Sequence, residues 1–311
     1  MGGFVEALGD ILTSESSYVS AVSFAAFLAF GAVGEWVAER AGTLNISIEG
    51  MLLAGAFAAA MGFDLTSSLL VSLLFGIGAA LMVASVQAQM SHRLQADQFV
   101  VGLALNILVL GLAGFLDGEL DPATRRAPTV TIPLLSDIPL VGRALFDQSW
   151  LLYLIYPLIP ACWWLVYRTR WGLEARSVGE NPQSADASGI HVNRRRRQAI
   201  YVAGITCGAG GTYLCLAVVG SFEDSIVGGR GFISIAAVIF GGWTLRGSIA
   251  GCVLFGTVVS FRLSLPALGY QINNQIVTSA PFLLTIAGMA LFAKRVRAPD
   301  ALSRPFVRGI R

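Results

Sequence analysis

The chain has 311 residues, of which 55% are hydrophobic and only 13% charged, and its mean hydropathy is +0.69. A soluble domain carries about a quarter charged residues, so this composition excludes an ordinary soluble enzyme and calls for lipid as the solvent. The formal net charge of +2 is too small for a nucleic-acid binder.

Taken in order, the first 17 residues hold Glu6, Asp10 and Glu15 and no basic stretch, which argues against a cleaved leader. A bilayer-crossing helix needs roughly 20 mostly apolar residues. Such runs fall near 18–38, 65–90, 98–116, 149–168, 199–219, 248–264 and 276–293, with shorter or interrupted elements at 44–62 and 231–245. The expected fold is all-α: a polytopic transmembrane bundle of about nine membrane elements, two of them short or broken, in a pseudo-repeated arrangement. The whole chain, 1–311, reads as a single transmembrane domain.

Basic residues set the orientation. Arg168, Arg170, Arg176 and the run Arg194 to Arg197 place the segment at about 169–198 in the cytoplasm. Lys294, Arg295, Arg297, Arg304, Arg308 and Arg311 do the same for the C-terminus. Arg40 and the pair His92-Arg93 then fall inside, and the loop at about 117–148 and the N-terminus fall outside. The four consecutive arginines read either as a topology signal in contact with headgroups or as a specific regulatory site. The chain is expected in a bacterial-type cytoplasmic (inner) membrane, with several passes and a cytoplasmic C-terminus.

No catalytic or metal site is legible. Cys162, Cys207, Cys215 and Cys252 lie in apolar runs without CxxC spacing and read as small buried hydrophobes. The only lysine, Lys294, follows Ala293, so no phosphate-binding P-loop can be written, and H-E-x-x-H and G-x-S-x-G are absent. His92 and His191 lie outside the expected spans, which argues against an intramembrane hydrolase.

Two stretches resemble each other: "LNISIEGMLLAGAFAA" from Leu44 and "GFISIAAVIFGGW" from Gly231. Each has an Ile-Ser-Ile core after a glycine-containing turn with an arginine nearby. Paired interrupted segments in the two halves of a transporter point to the solute path, because irregular backbone at membrane depth must line a cavity or be buried in protein. Polar groups there carry two readings each. Glu49 either lines the path or caps its own helix and pairs with Arg40 or Asn45; Asn45 is a path residue or a helix cap. Asn106, a lone amide in mid-span, offers interhelical hydrogen bonding or solute contact. Phe57, Phe99, Phe240 and Trp243 could stack on a planar ligand or simply pack. Glu35, near a span end and a turn from Glu39, reads as structural.

The cytoplasmic segment "RTRWGLEARSVGENPQSADASGIHVNRRRR" contains a short helix: Asn181 suits its cap, Pro182 its first turn, and Gly189 its stop. It is a docking piece or an ordinary interfacial helix.

Three stretches, "ERAGTLNISIEGMLLAGAF", "ARSVGENPQSADASGI" and "GGRGFISIAAVIFGGW", together with their spacing, carry a resemblance over nearly the whole chain. The chain resembles permease subunits of ATP-binding-cassette importers of the branched-chain amino acid, ribose and nucleoside group, most of all the smaller permease of nucleoside systems. The resemblance implies a permease that is not itself an enzyme, moving nucleosides by alternating access. It makes the segment around Gly179 to Gly189 the coupling helix for a cytoplasmic ATPase, with Arg176, Glu180, Asn181, Pro182 and Asp186 in the contact. The partners it implies are ABC ATPase subunits that hold ATP-Mg, a second and larger permease, and an external substrate-binding lipoprotein; this chain would hold no cofactor. The path residues Asn45, Glu49, Asn106, Phe57 and Phe240 come from the residues themselves. Other solutes (riboflavin-like molecules, sugars, branched-chain amino acids) stay open at this level, as does a proton-coupled secondary transporter using Glu49 or Glu35, or a passive channel.

Overall fold

Long apolar runs with few charges become helices here, and Gly, Ser, Asn and Asp recur in the breaks between them. The computed structural model describes residues 13–139 and 142–267, positions 279, 283 and 286, and 297–307. Helix α1 (Glu15–Arg40) is apolar all round and buried continuously from Phe24 to Glu39, so it forms the centre of the bundle. Helix α2 (Ile48–Thr66) ends at Ser67, whose φ of 53° reverses the chain into α3 (Leu69–His92). Helix α4 (Gln98–Leu120) is capped by Asp97, which accepts from the backbone N–H groups of Phe99 and Val100.

The next loop holds a two-stranded antiparallel ribbon, β1 (Thr129–Thr131) with β2 (Asp147–Ser149), and the short α5 (Gly142–Phe146). Helices α6 (Trp150–Tyr153) and α7 (Ile155–Arg168) cross back, followed by α8 (Arg170–Glu180) and α9 (Pro182–Ala187). Helix α10 (Val192–Tyr213) runs into a π-helical stretch, Leu214–Val219, stopped by Gly220. The described chain continues through α11 (Arg230–Phe240) and α12 (Leu245–Ala267).

α1 packs against α10, α11 and α12, and α2 against α3, α4 and α10. The α2–α3–α10 seam is closed by glycine: a Cβ on Gly208 would stand 2.5 Å from Ile77 Cα, and one on Gly211 2.2 Å from the Leu52 carbonyl oxygen. This is the close backbone approach that small residues allow between membrane helices. Leu70, Leu74 and Met82 of α3 and Leu103, Ile107 and Leu108 of α4 are exposed and give the bundle an apolar outer surface.

The described residues contain six helices long and apolar enough to cross a membrane and two shorter apolar ones, Arg230–Phe240 and Leu245–Phe261. The expected nine elements are therefore not established. The span expected at 276–293 lies outside the described residues apart from positions 279, 283 and 286. The element placed at 44–62 is interrupted at its entry, residues 41–47, and then runs as a 19-residue helix of spanning length. The element placed at 231–245 is indeed short.

Candidate translocation site

Residues 41–47 form the irregular entry to α2, and nearly all of this backbone is buried in protein. Unpaired backbone groups at such a depth are costly, so the partners matter. Gln98 Oε1 accepts from Leu44 N at 2.8 Å, Glu35 Oε1 accepts from Asn45 N at 3.0 Å, and Thr43 Oγ1 pairs with His92 Nε2 at 2.7 Å. Asn106 serves the first turn twice: its Nδ2 donates to the Ile46 carbonyl and its Oδ1 accepts from Gly50 N, both at 2.8 Å. Its amide is engaged in interhelical hydrogen bonding. The cap position belongs to Ser47 and not Asn45, and no side chain caps α2 there. Asn45 instead accepts the Ser47 hydroxyl at 2.7 Å.

α1 provides a depth gauge. At 1.5 Å per residue, Gly31 lies about 14 Å and Phe24 about 24 Å from its Arg40 end. A Cβ on Gly31 would touch the side chains of Ile48 and Ser234, and Arg230 sits over the Phe24 ring at 5.3 Å. Both α2 and α11 therefore begin partway along α1, inside the bundle.

The two beginnings meet at Glu49. Its Oε1 accepts from Gly229 N and its Oε2 from Gly231 N, each at 2.7 Å. The carboxylate of α2 thus occupies the N-terminus of α11, where free N–H groups and the positive end of the helix dipole favour an anion. This replaces the expectation that Glu49 caps its own helix or pairs with Arg40 or Asn45. Gly229 has φ of 81°, which turns both N–H groups toward the carboxylate. A Cβ on Gly231 would stand 2.6 Å from Glu49 Oε2. The glycines flanking Arg230 are thus set by conformation at Gly229 and by close approach at Gly231.

Phe57 lies farther along α2, half-buried and edge-to-face with Phe222 at 5.2 Å. Phe240 closes α11, half-buried and edge-to-face with Phe255 at 5.6 Å. Asn45, Glu49 and Asn106 are brought together around the entry to α2, whereas Phe57 lies midway along α2 and Phe240 at the end of α11.

The segment at 179–189 folds as its local signals direct. Asn181 Oδ1 accepts from Ser184 N at 2.9 Å, Pro182 occupies the first turn, and Gly189 stops the helix with φ of 84°. Glu180, Asn181 and Gly189 are exposed, Asp186 is half-exposed, and Pro182 and Ala185 are buried. Arg176 lies over the Tyr167 ring at 5.0 Å. Gly179 is packed so tightly that a Cβ would stand 2.2 Å from the Arg40 carbonyl oxygen and 3.1 Å from Gly42 N. This segment therefore touches the turn that leads into α2. Beneath it, Val178, Ala185, Val192 and Phe306 form a small separate core. Residues 297–307 run across this face: Ala301 N donates to the Gly179 carbonyl at 3.0 Å, and buried Arg196 donates to the carbonyls of Ala301 and Arg304.

Sequence reasoning missed Gln98, His92, Arg196 and Trp243 as holders of these turns, and it set Glu35 aside as structural without its partner. The one available signal was Glu35 and Glu39 at i,i+4 in an apolar helix, a like-charge spacing that a helix avoids without reason.

The chain matches the family described as branched-chain amino acid transport system / permease component over residues 17–286. It is 34% identical over 291 residues to the nucleoside ABC transporter permease protein NupC of Lactococcus lactis subsp. cremoris, covering 88% of this chain and 91% of that one. It is 32% identical to the guanosine ABC transporter permease protein NupQ of Bacillus subtilis, covering 93% of this chain and 95% of that one. Among solved structures, PsaBC from Streptococcus pneumoniae in complex with Fab shares the fold at a TM-score of 0.53 and 12% identity, covering 92% of this chain and 95% of that one. The discontinuous helices, the multi-pass bundle and the near end-to-end match converge: the chain belongs to the branched-chain amino acid transport system permease family and is a membrane permease component, not an enzyme.

Proposed function

We propose that this chain is one permease subunit of an ATP-driven importer that carries nucleosides into the cell. The observation that carries the reading is the similarity, over nearly the full length of both chains, to permeases named for nucleoside and guanosine transport. The geometry supports it with a route for coupling. An ABC ATPase holding ATP-Mg docks on Glu180, Asn181 and Asp186, with Arg176, Pro182 and Gly189 shaping the segment. Gly179 passes the motion to the Arg40–Gly42 turn, and that turn leads into α2 and the Glu49 contact with α11. Alternating access is then a change in how α2 and α11 meet beside the path, with Asn45, Glu49, Asn106, Phe57 and Phe240 on its wall.

In this reading residues 169–198 and the C-terminus are cytoplasmic, and the loop at 117–148 faces outward, where a binding lipoprotein delivers the solute. A second, larger permease completes the pore. The solute can drive the change only through different affinities for the two states.

The test is uptake of labelled guanosine and uridine into vesicles holding the co-purified complex, with binding protein outside. Accumulation that requires internal ATP is expected. Accumulation driven by a proton gradient without ATP would replace the importer with a secondary transporter. Intact ATP hydrolysis without uptake of either nucleoside would discard the ligand and keep the machine.

A further inference from the structure

α1 carries two carboxyl groups, Glu35 and Glu39, one turn apart on the same helix face. Both residues are 0% exposed. One oxygen of each is engaged by a different broken helix: Glu35 Oε1 accepts from Asn45 N in the entry to α2, and Glu39 Oε2 accepts from Trp243 Nε1 just past α11. Trp36, between them, donates its Nε1 to the Trp243 carbonyl at 2.9 Å. The remaining oxygens, Glu35 Oε2 and Glu39 Oε1, are buried and have no partner among the described residues. The i,i+4 spacing on one helix brings the two side chains together as neighbours.

The other groups bonded to the pair are Asn45 and Trp243. No cation neutralises it: among the described residues neither glutamate is in an ion pair. Of the nearby arginines, Arg40 heads the next turn, Arg176 lies over Tyr167, and Arg196 donates to backbone carbonyls. Two bare carboxylates facing each other in a dry site repel, and such pairs are stable when they keep one proton between them.

We infer that Glu35 and Glu39 share a single proton, held between Glu35 Oε2 and Glu39 Oε1, and that this pair pins the entry of α2 and the exit of α11 to α1. The proton is a bound ligand that stays in place. With it, each of the four carboxyl oxygens has a partner: Asn45 N–H, the shared proton from both sides, and Trp243 N–H. Glu35 and Glu39 are positioning residues, and the inference is independent of the solute transported.

Amide substitutions make it testable in an unusual way. In Glu35→Gln the amide oxygen keeps the Asn45 bond and its NH₂ donates to the Glu39 carboxylate. Glu39→Gln is the mirror case. In the double variant two NH₂ groups face each other and neither finds an acceptor. The full-length chain, purified in detergent, should melt within about 2 °C of the wild type for each single variant and more than about 6 °C lower for the double variant. Infrared difference spectra should show carboxylic-acid carbonyl intensity lost in each single variant, because the remaining carboxyl is then ionised. Single variants that melt as low as the double one, a double variant that melts like the wild type, or acid intensity that survives in both single variants would overturn the shared proton.

Discussion

Glu49→Gln tests the junction of the two broken helices. The wild-type carboxylate accepts from Gly229 N and Gly231 N at 2.7 Å each. Hydrogen bonds to an ionised acceptor contribute about 1.5–3 kcal/mol each, and the end of α11 adds about 0.3–1 kcal/mol for an anion. A glutamine keeps one neutral bond of about 1 kcal/mol and turns its NH₂ toward the other N–H, leaving that donor unpaired. The net loss is about 3 kcal/mol. For a chain of 311 residues, at about 2.1 cal/mol/K of unfolding entropy per residue, that corresponds to a melting temperature roughly 5 °C lower. The assay is thermal unfolding of the purified protein alongside vesicle uptake; the variant should reach the membrane yet transport at least about tenfold more slowly, since about 1.4 kcal/mol already shifts a population tenfold. A variant that melts within about 1 °C of the wild type and transports normally would refute the clasp.

Three further changes address neighbouring features. Asn106→Leu strands the Ile46 carbonyl and Gly50 N–H and should cost about 2–4 kcal/mol, read as a lower melting temperature; an unchanged value would mean that water serves those groups. Gly179→Val drives side-chain atoms into the Arg40 carbonyl and should abolish uptake while the assembled complex still hydrolyses ATP; normal uptake would remove this contact from the coupling route. Arg196→Met keeps the packed stem and loses the donors to Ala301 and Arg304, so trypsin should cut the purified protein at Arg297, on the same strap, several-fold faster, and an unchanged rate would show that other contacts hold the strap.

Local signals were legible wherever the partner lay close in sequence. Asn181, Pro182 and Gly189 announced α9 because cap, first turn and stop all act within one short helix. The matching Ile-Ser-Ile stretches marked the places where α2 and α11 begin, since irregular backbone in a membrane leaves a trace in glycine and polar residues. What these residues bond to was not legible. Glu49 caps a helix that starts 180 residues later, and no rule of spacing links the two. Asn45 resembled a cap, yet the chain takes one more turn and gives that position to Ser47. Arg196, read with its neighbours as a topology signal in contact with headgroups or as a regulatory site, is wholly buried because residues 297–307 fold back over it. α8 went unnoticed because its buried face is only Gly172, Ala175, Val178 and Gly179, too small to show as periodicity among charges.

The Glu49 clasp also constrains how the protein is made. Gly229 follows Glu49 by 180 positions, so a ribosome adding about 5–20 residues per second delivers the acceptor roughly 10–40 s before its donors. Over that interval α2 is a nascent segment with a carboxylate and no helix end to receive it. Its insertion is therefore provisional until α11 arrives, and the final depth of the early half is settled by the late half. A chain truncated before Gly229 should leave α2 near the membrane surface, where quality-control proteases can reach it.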